Sequence, residues 1–253
     1  MIELFIFIIG LVFGSFYNVV GLRLPNNESL IRPGSHCPKC NHKLKWYENI
    51  PLLSFIFLKG KCKECKCKIS IMYPLMEFLT GILFLISYNL FGISANFFMG
   101  IVLSSLVVII FVSDSKYMII LDSPLIISSI LILIIKFCYY GIDSVWKSLL
   151  SGLFVFVVMY LLMLLGNFLF KRESLGGGDI KLSFVSGLVL GPVMGLFYIC
   201  LGAFLALPYA LYVMLKNKEN MLPFGPFLAI SMLLIYYNLD FFTNFLNTIL
   251  GLK

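Results

Sequence analysis

Four cysteines of this chain stand as two C-x-x-C knuckles, Cys37-Pro38-Lys39-Cys40 and Cys62-Lys63-Glu64-Cys65. Twenty-one residues lie between them, one more than the upper end of the usual zinc-ribbon spacing. Four thiolates in a tetrahedron are how structural zinc is held, with no position left for a reactive water. Two aspartates form a second group. Asp114 stands in F-V-S-D-S-K-Y, and Asp179 follows Gly176, Gly177 and Gly178 in L-G-G-G-D-I-K-L-S-F. A carboxylate after glycines has a plain structural reading, a flexible turn followed by a helix cap. Two carboxylates brought close in an apolar setting have another. They cannot both ionise easily, so one keeps a proton near neutral pH. Such a pair can activate a water and protonate a leaving amine. The three glycines would let a substrate backbone approach closely. No rival constellation competes in the sequence. There is no H-E-x-x-H, His36 and His42 are the only histidines, and the glycine turn lacks the G-x-x-x-x-G-K-[ST] spacing of a phosphate loop.

Composition says what kind of elements must hold these groups. Of 253 residues, 60% are hydrophobic and 12% charged, with a mean hydropathy of +1.01. A soluble domain is about half apolar and a quarter charged. The excess cannot be buried in one core, so lipid must solvate much of the chain. The apolar runs are continuous rather than alternating, which favours helices over a barrel, and a span takes about 20 residues. Runs fall at 1–22, 72–90, 95–113, 117–140, 147–170, 180–191, 193–215 and 226–249. The stretch from 180 to 215 is too long for one span, and Gly191-Pro192 is its expected break. The sequence therefore predicts an all-α polytopic membrane protein of about eight transmembrane helices, with a zinc-ribbon-like loop between the first two. Its expected parts are a first transmembrane helix over 1–22, a cytoplasmic zinc-binding loop over 23–71 and a seven-helix membrane core over 72–253. The first run is expected to be retained rather than cleaved as a signal: its only early charge is Glu3, and the basic residues follow it.

Charge sets the expected orientation. Between Arg23 and Lys68 stand ten basic residues against three acids, an excess equal to the +7 of the whole chain. By the positive-inside rule this loop is cytoplasmic and the N-terminus outside. The other cytoplasmic connections then hold Asp114 and Lys116, then Lys171, Arg172 and Asp179, then Lys216 and Lys218. A basic loop beside a membrane is an orientation signal and an anionic-lipid contact. It lacks the interleaved aromatics of a nucleic-acid surface, so no nucleic-acid partner is expected.

Topology sharpens both groups. A cytosolic face is reducing, which argues against disulfides and for zinc on Cys37, Cys40, Cys62 and Cys65; Cys67, His36 and His42 remain possible substitutes. A loop of about 50 residues with few apolar runs needs such a site, because metal binding supplies folding energy. Cys138 and Cys200 lie in apolar runs and read as packing residues. Both aspartates come to the same membrane face near the same depth. Asp122, just before Ser123-Pro124, competes with Asp114 for the first role, and depth favours Asp114.

At this point the chain resembles the prepilin peptidases (type IV leader peptidases), which are G-x-G-D aspartic membrane proteases. The resemblance runs through G-S-F-Y-N-V-V-G-L-R-L-P (Gly14 to Pro25), C-P-K-C, K-W-Y-E-N-I-P-L-L-S-F (Lys45 to Phe55), G-K-C-K-E-C and I-S-I-M-Y-P-L-M-E-F-L-T-G (Ile69 to Gly81). It continues through Asp114, G-G-G-D with Asp179, and M-L-P-F-G-P-F-L-A (Met221 to Ala229). It implies a multi-pass enzyme of a bacterial plasma membrane that cuts the short basic leader from type IV prepilins and pseudopilins, after a glycine, at the cytoplasmic face. It also implies methylation of the new N-terminal residue from S-adenosylmethionine. Residue by residue, Asp114 and Asp179 would be catalytic and the four knuckle cysteines would hold zinc. Gly14, Asn18 and Glu77 match blocks tied to methyl transfer or substrate handling. The family often has a second acid where Lys116 stands, and Pro-Asp where this chain has Leu121-Asp122, so the local turn is expected to differ.

Two other classes compete. A proton-coupled transporter would also use paired intramembrane aspartates, but spread through the bilayer around a midplane site with repeats. A scaffold presenting a zinc ribbon would explain the loop and leave both aspartates idle.

Overall fold

Wherever the sequence stays apolar for the length of a span, the chain is helical. The computed structural model describes residues 1–171, 175–217 and 223–251. Arg172, Lys218, Met221 and Leu222, used above, lie outside them. The helices are α1 (Ile2–Arg23), a short α2 (Leu53–Phe57) in the loop, α3 (Met72–Phe91), α4 (Ala95–Tyr117), α5 (Asp122–Tyr140), α6 (Ile142–Phe170), α7 (Gly177–Asn217), α8 (Gly225–Tyr237) and α9 (Leu239–Leu250). Among the described residues only two isolated bridges, both in the loop, pair extended backbone.

Six of these helices, α1 and α3 to α7, are long and apolar enough to cross a membrane. With 41 residues, α7 would be about 60 Å long if straight, twice the hydrocarbon thickness. It folds back instead. Gly191 has φ +81° and ψ −179°, and the Ser186 hydroxyl donates to the Gly195 carbonyl at 3.1 Å. A Cβ on Gly195 would sit 3.0 Å from the Gly187 Cα, although residues eight apart in an unbroken helix are about 12 Å apart. Two antiparallel arms, 177–190 and 192–217, therefore meet at Gly191-Pro192, where the sequence placed the break. Counted as two crossings, α7 raises the six candidate spans among the described residues to seven, and the bent pair α8 and α9 stands where the eighth was expected.

Three boundaries differ from expectation. The run at 117–140 yields helix only from Asp122, because Met118 turns into the left-handed region (φ +54°) and closes α4. Next, α6 begins at Ile142, five residues early. The last run breaks at Asn238, and α9 leaves α8 at 94°. In α9, Phe241, Phe245 and Ile249 are exposed on the face opposite Asn244 and Asn247, the pattern of a helix that lies along a membrane interface.

Two apolar clusters meet on α4, which is buried along most of its length. One gathers α4, α5, α7 and α8, and the other α1, α3 and α4. Glycines let α1 and α3 nearly touch: a Cβ on Gly10 would lie 2.7 Å from the Gly81 Cα. Without a hydrophobic drive between helices in lipid, close backbone packing of this kind is what joins them. The outward faces of α5 and α6 carry Ile126, Ile130, Leu161 and Leu165, as a lipid-solvated bundle requires. Cys138 and Cys200, expected to pack, are instead exposed on this outer surface.

Candidate active site

The two knuckles are built as the same turn, 25 residues apart. In the first, the Cys37 N–H donates to the His42 carbonyl and the Asn41 N–H to the Cys37 carbonyl, both at 2.9 Å. In the second, the Cys62 N–H donates to the Cys67 carbonyl at 2.9 Å and the Lys66 N–H to the Cys62 carbonyl at 3.1 Å. Asn41 and Lys66 both take φ +56°, and the bridges His36–Lys43 and Lys61–Lys68 close each turn. The Sγ atoms of Cys37, Cys40, Cys62 and Cys65 all lie within 4.8 Å of one another, with Cys37–Cys65 at 3.8 Å and Cys40–Cys62 at 3.9 Å. Four sulfurs at the zinc–sulfur distance of about 2.3 Å stand about 3.8 Å apart along a tetrahedron's edge. The sulfurs thus fit one zinc ion, and they are far beyond disulfide bonding. Cys67 Sγ lies 3.6 Å from that of Cys37 at the edge of this set. His42 instead turns its Nε2 to Glu48, at 3.1 Å. Glu48 is buried and also accepts the Lys45 N–H at 2.8 Å. That backbone bond and the neighbouring His42 and Lys63 hold its carboxyl below the usual carboxylate range.

Both aspartates are buried, Asp114 at 5% and Asp179 at 9% exposure. Asp114 lies in the last turn of α4, where the helix dipole disfavours negative charge. Its Oδ2 accepts the Gly225 N–H at 3.1 Å, the first residue of α8, so the positive end of one helix offsets the negative end of another. Asp179 lies in the first turn of α7, with its N–H on the Gly176 carbonyl at 3.1 Å. Ile120, in the linker after α4, stands between the two sites. A Cβ on Gly178 would meet its Cβ at 2.7 Å, and one on Gly225 its Cδ1 at 2.9 Å. Gly177 faces open space. The structure therefore gathers Asp114, Asp179 and the glycine turn at one end of the bundle, the end that carries the cysteine loop.

Asp122 is elsewhere engaged. Lys181 holds both of its oxygens, at 2.7 and 2.8 Å, and both side chains are more than half exposed. An exposed pair of this kind contributes little. Asp122→Asn is expected to leave any turnover at this site within about fivefold of wild type, measured as a single-turnover rate.

Gly14, Asn18 and Glu77 come together on the seam of α1 and α3. A Cβ on Gly14 would lie 2.8 Å from the Glu77 Cα. The Asn18 amide donates to the Gly14 and Tyr73 carbonyls, both at 3.2 Å, while its buried Oδ1 has no protein partner among the described residues. Glu77 accepts the Leu52 N–H at 2.9 Å. Leu52 takes φ +60°, so a strained turn of the zinc loop is tied to the bundle through this carboxylate. Ile120, Gly225 and Leu52 were not singled out by sequence reasoning. Gly225 sits in the quoted F-G-P block, but a backbone donor leaves no mark in residue type.

The comparisons with known proteins agree on one family. Residues 8–91 match the bacterial peptidase A24 N-terminal domain, and residues 101–211 match the type IV leader peptidase family. These segments contain the knuckles, the α1–α3 seam and both buried aspartates. The chain is 37% identical over 240 residues to a prepilin leader peptidase/N-methyltransferase of Bacillus subtilis (strain 168), covering 91% of this chain and 92% of that protein. A protein of the same name from Vibrio cholerae is 31% identical over 254 residues, covering 92% and 95%. No solved structure matches. The chain belongs to the type IV leader peptidase family, among the prepilin leader peptidase/N-methyltransferases.

Proposed function

We propose that this protein is an aspartic endopeptidase of the bacterial plasma membrane that removes the short basic leader from type IV prepilins or pseudopilins. The cut falls after a glycine at the cytoplasmic face, and the new N-terminal amine is then methylated, with S-adenosylmethionine as donor. The observation that carries this reading is the convergence of Asp114 and Asp179, both buried, around Ile120 beside a glycine turn with open space at Gly177. The pilin helix enters sideways from the lipid, with its leader left in the cytoplasm. The residue before the cut lies extended over Gly176, Gly177 and Gly178.

One carboxylate takes a proton from water as the oxygen attacks the scissile carbonyl, and the other gives a proton to the leaving nitrogen. The Gly225 N–H fixes Asp114, whichever of the two roles it takes. The pair titrates as a unit, so neither role belongs to one residue from position alone. Cys37, Cys40, Cys62 and Cys65 would hold a structural zinc, which shapes the loop and supplies no reactive water. Gly14, Asn18 and Glu77 serve substrate handling or methyl transfer, with the unpartnered Asn18 Oδ1 and the Glu77 carboxylate as acceptors for an amine. A proton-relay transporter would place acids through the bilayer, whereas both buried aspartates stand at one end.

The test is purified protein in liposomes with a prepilin-type peptide and labelled S-adenosylmethionine. The expected result is loss of the leader mass after the glycine, with label entering only the cut product. Intact peptide in the presence of folded protein overturns the reading.

A further inference from the structure

The bundle end opposite the aspartates holds a cluster of charge that this reading does not use. Lys136 lies on α5, fourteen residues after Asp122 and so about 21 Å further along the helix. Its ammonium donates to the Ser148 hydroxyl and to the Leu188 carbonyl, both at 2.6 Å. That carbonyl is free because its helical donor would be the nitrogen of Pro192, which has no N–H. An ammonium carries three N–H groups, so one remains. No carboxylate among the described residues lies within ion-pair distance of Lys136.

Here α5, the start of α6 and the turn of α7 border an open cleft of about 310 Å³, lined in part by Lys136, Ser144, Lys147, Ser148, Ser151 and Gly191. Lys147 is exposed and in no ion pair among the described residues. The helix ends nearly cancel: the start of α6 contributes about half a positive charge and the carbonyl end of the first α7 arm about half a negative one. Asp143 is exposed and is not part of the lining. Two ammonium groups therefore dominate, beside the hydroxyls of Ser144 and Ser148, while the Ser151 hydroxyl already donates to the Lys147 carbonyl at 2.8 Å.

We propose that this cleft binds a phosphate-type oxyanion, whether the headgroup of a membrane lipid in the leaflet opposite the active site or soluble phosphate. Clustered oxygens of one charged group match convergent ammonium and hydroxyl donors. The cleft is open, so a headgroup could enter with its acyl chains outside. A bound phosphate would tie α5 and α6 to the turn that ends the Asp179 arm.

The experiment uses purified full-length protein in uncharged detergent. Thermal shift is read against inorganic phosphate, short-chain phosphatidylglycerol and a short-chain diacylglycerol without phosphate. Wild type is expected to be stabilised by one or both phosphates and not by the diacylglycerol. Tighter binding of the lipid identifies a headgroup; equal binding identifies soluble phosphate. Lys147→Gln, which removes no hydrogen bond inside the protein, is expected to weaken binding about fivefold. Lys136→Gln also uncaps Leu188, so its binding is read against its own unliganded midpoint. Unchanged affinity in Lys147→Gln, a response to diacylglycerol equal to that of the phospholipid, or no response to either phosphate overturns the proposal.

Discussion

Cys62→Ser is expected to strip the metal from the loop and leave residues 34–68 open to protease, while the membrane helices stay folded. Apart from Cys37 and Cys62, no apolar side chain between residues 31 and 71 is buried, and neither apolar cluster draws a residue from that stretch. The centre of the loop is the four sulfurs, with Glu48 beside them. Structural zinc binds small domains with about 10–16 kcal/mol of apparent free energy, and in such domains binding energy is folding energy. A loop without its own core cannot replace that. Wild type should carry about one zinc per chain and resist trypsin at its many loop lysines. Cys62→Ser should carry almost none and be cut there. Because Leu52 is fixed to Glu77, methyl transfer is expected to fall further than cleavage. Equal protection of the loop in the variant and wild type would show that something other than metal holds it.

The second large effect is on catalysis. Asp114→Asn and Asp179→Asn keep size and polarity, so α4, α7 and α8 should remain packed; Asn can still accept the Gly225 N–H through its amide oxygen. What each change removes is the ability to take or give a proton. General acid–base partners contribute about 10²–10⁴-fold each, and here each variant is expected to lose at least about a thousandfold. Residues acting as a unit are not additive, so the double variant should be little worse than either single one. A loss shared equally by cleavage and thermal midpoint would mean that the aspartates hold the fold rather than perform the chemistry.

Much of the fold was legible because lipid leaves few choices. Continuous apolar runs must be helices, and Gly191-Pro192 was the expected break in one: Gly191 takes φ +81°, and Pro192 cannot donate to Leu188. The turn at Asn238 was not legible. Composition hardly changes across Y-Y-N-L-D, and the bend follows tertiary contacts: Tyr236 donates to the Asn96 carbonyl at 2.8 Å, and Tyr237 bonds Ser87 and Ser104 at 2.7 and 2.9 Å. In the site, the residue types that do chemistry stood out against an apolar background, but their partners did not. Depth already favoured Asp114 over Asp122, but the partner of Asp122, Lys181 at 59 residues' distance, left no mark in the sequence. The two C-x-x-C pairs were plain in sequence, but the continuation of the shared turn beyond them was not, because His42 occupies the place that Cys67 takes in the second. Their backbones agree where their side chains do not.

The most direct measurement is single-turnover cleavage of a prepilin-type peptide in liposomes by wild type, Asp114→Asn, Asp179→Asn and Asp122→Asn, each with its thermal midpoint. Loss of cleavage in the first two variants at unchanged midpoint, with near wild-type cleavage in the third, is the expected result. Cleavage by Asp179→Asn at the wild-type rate would contradict it.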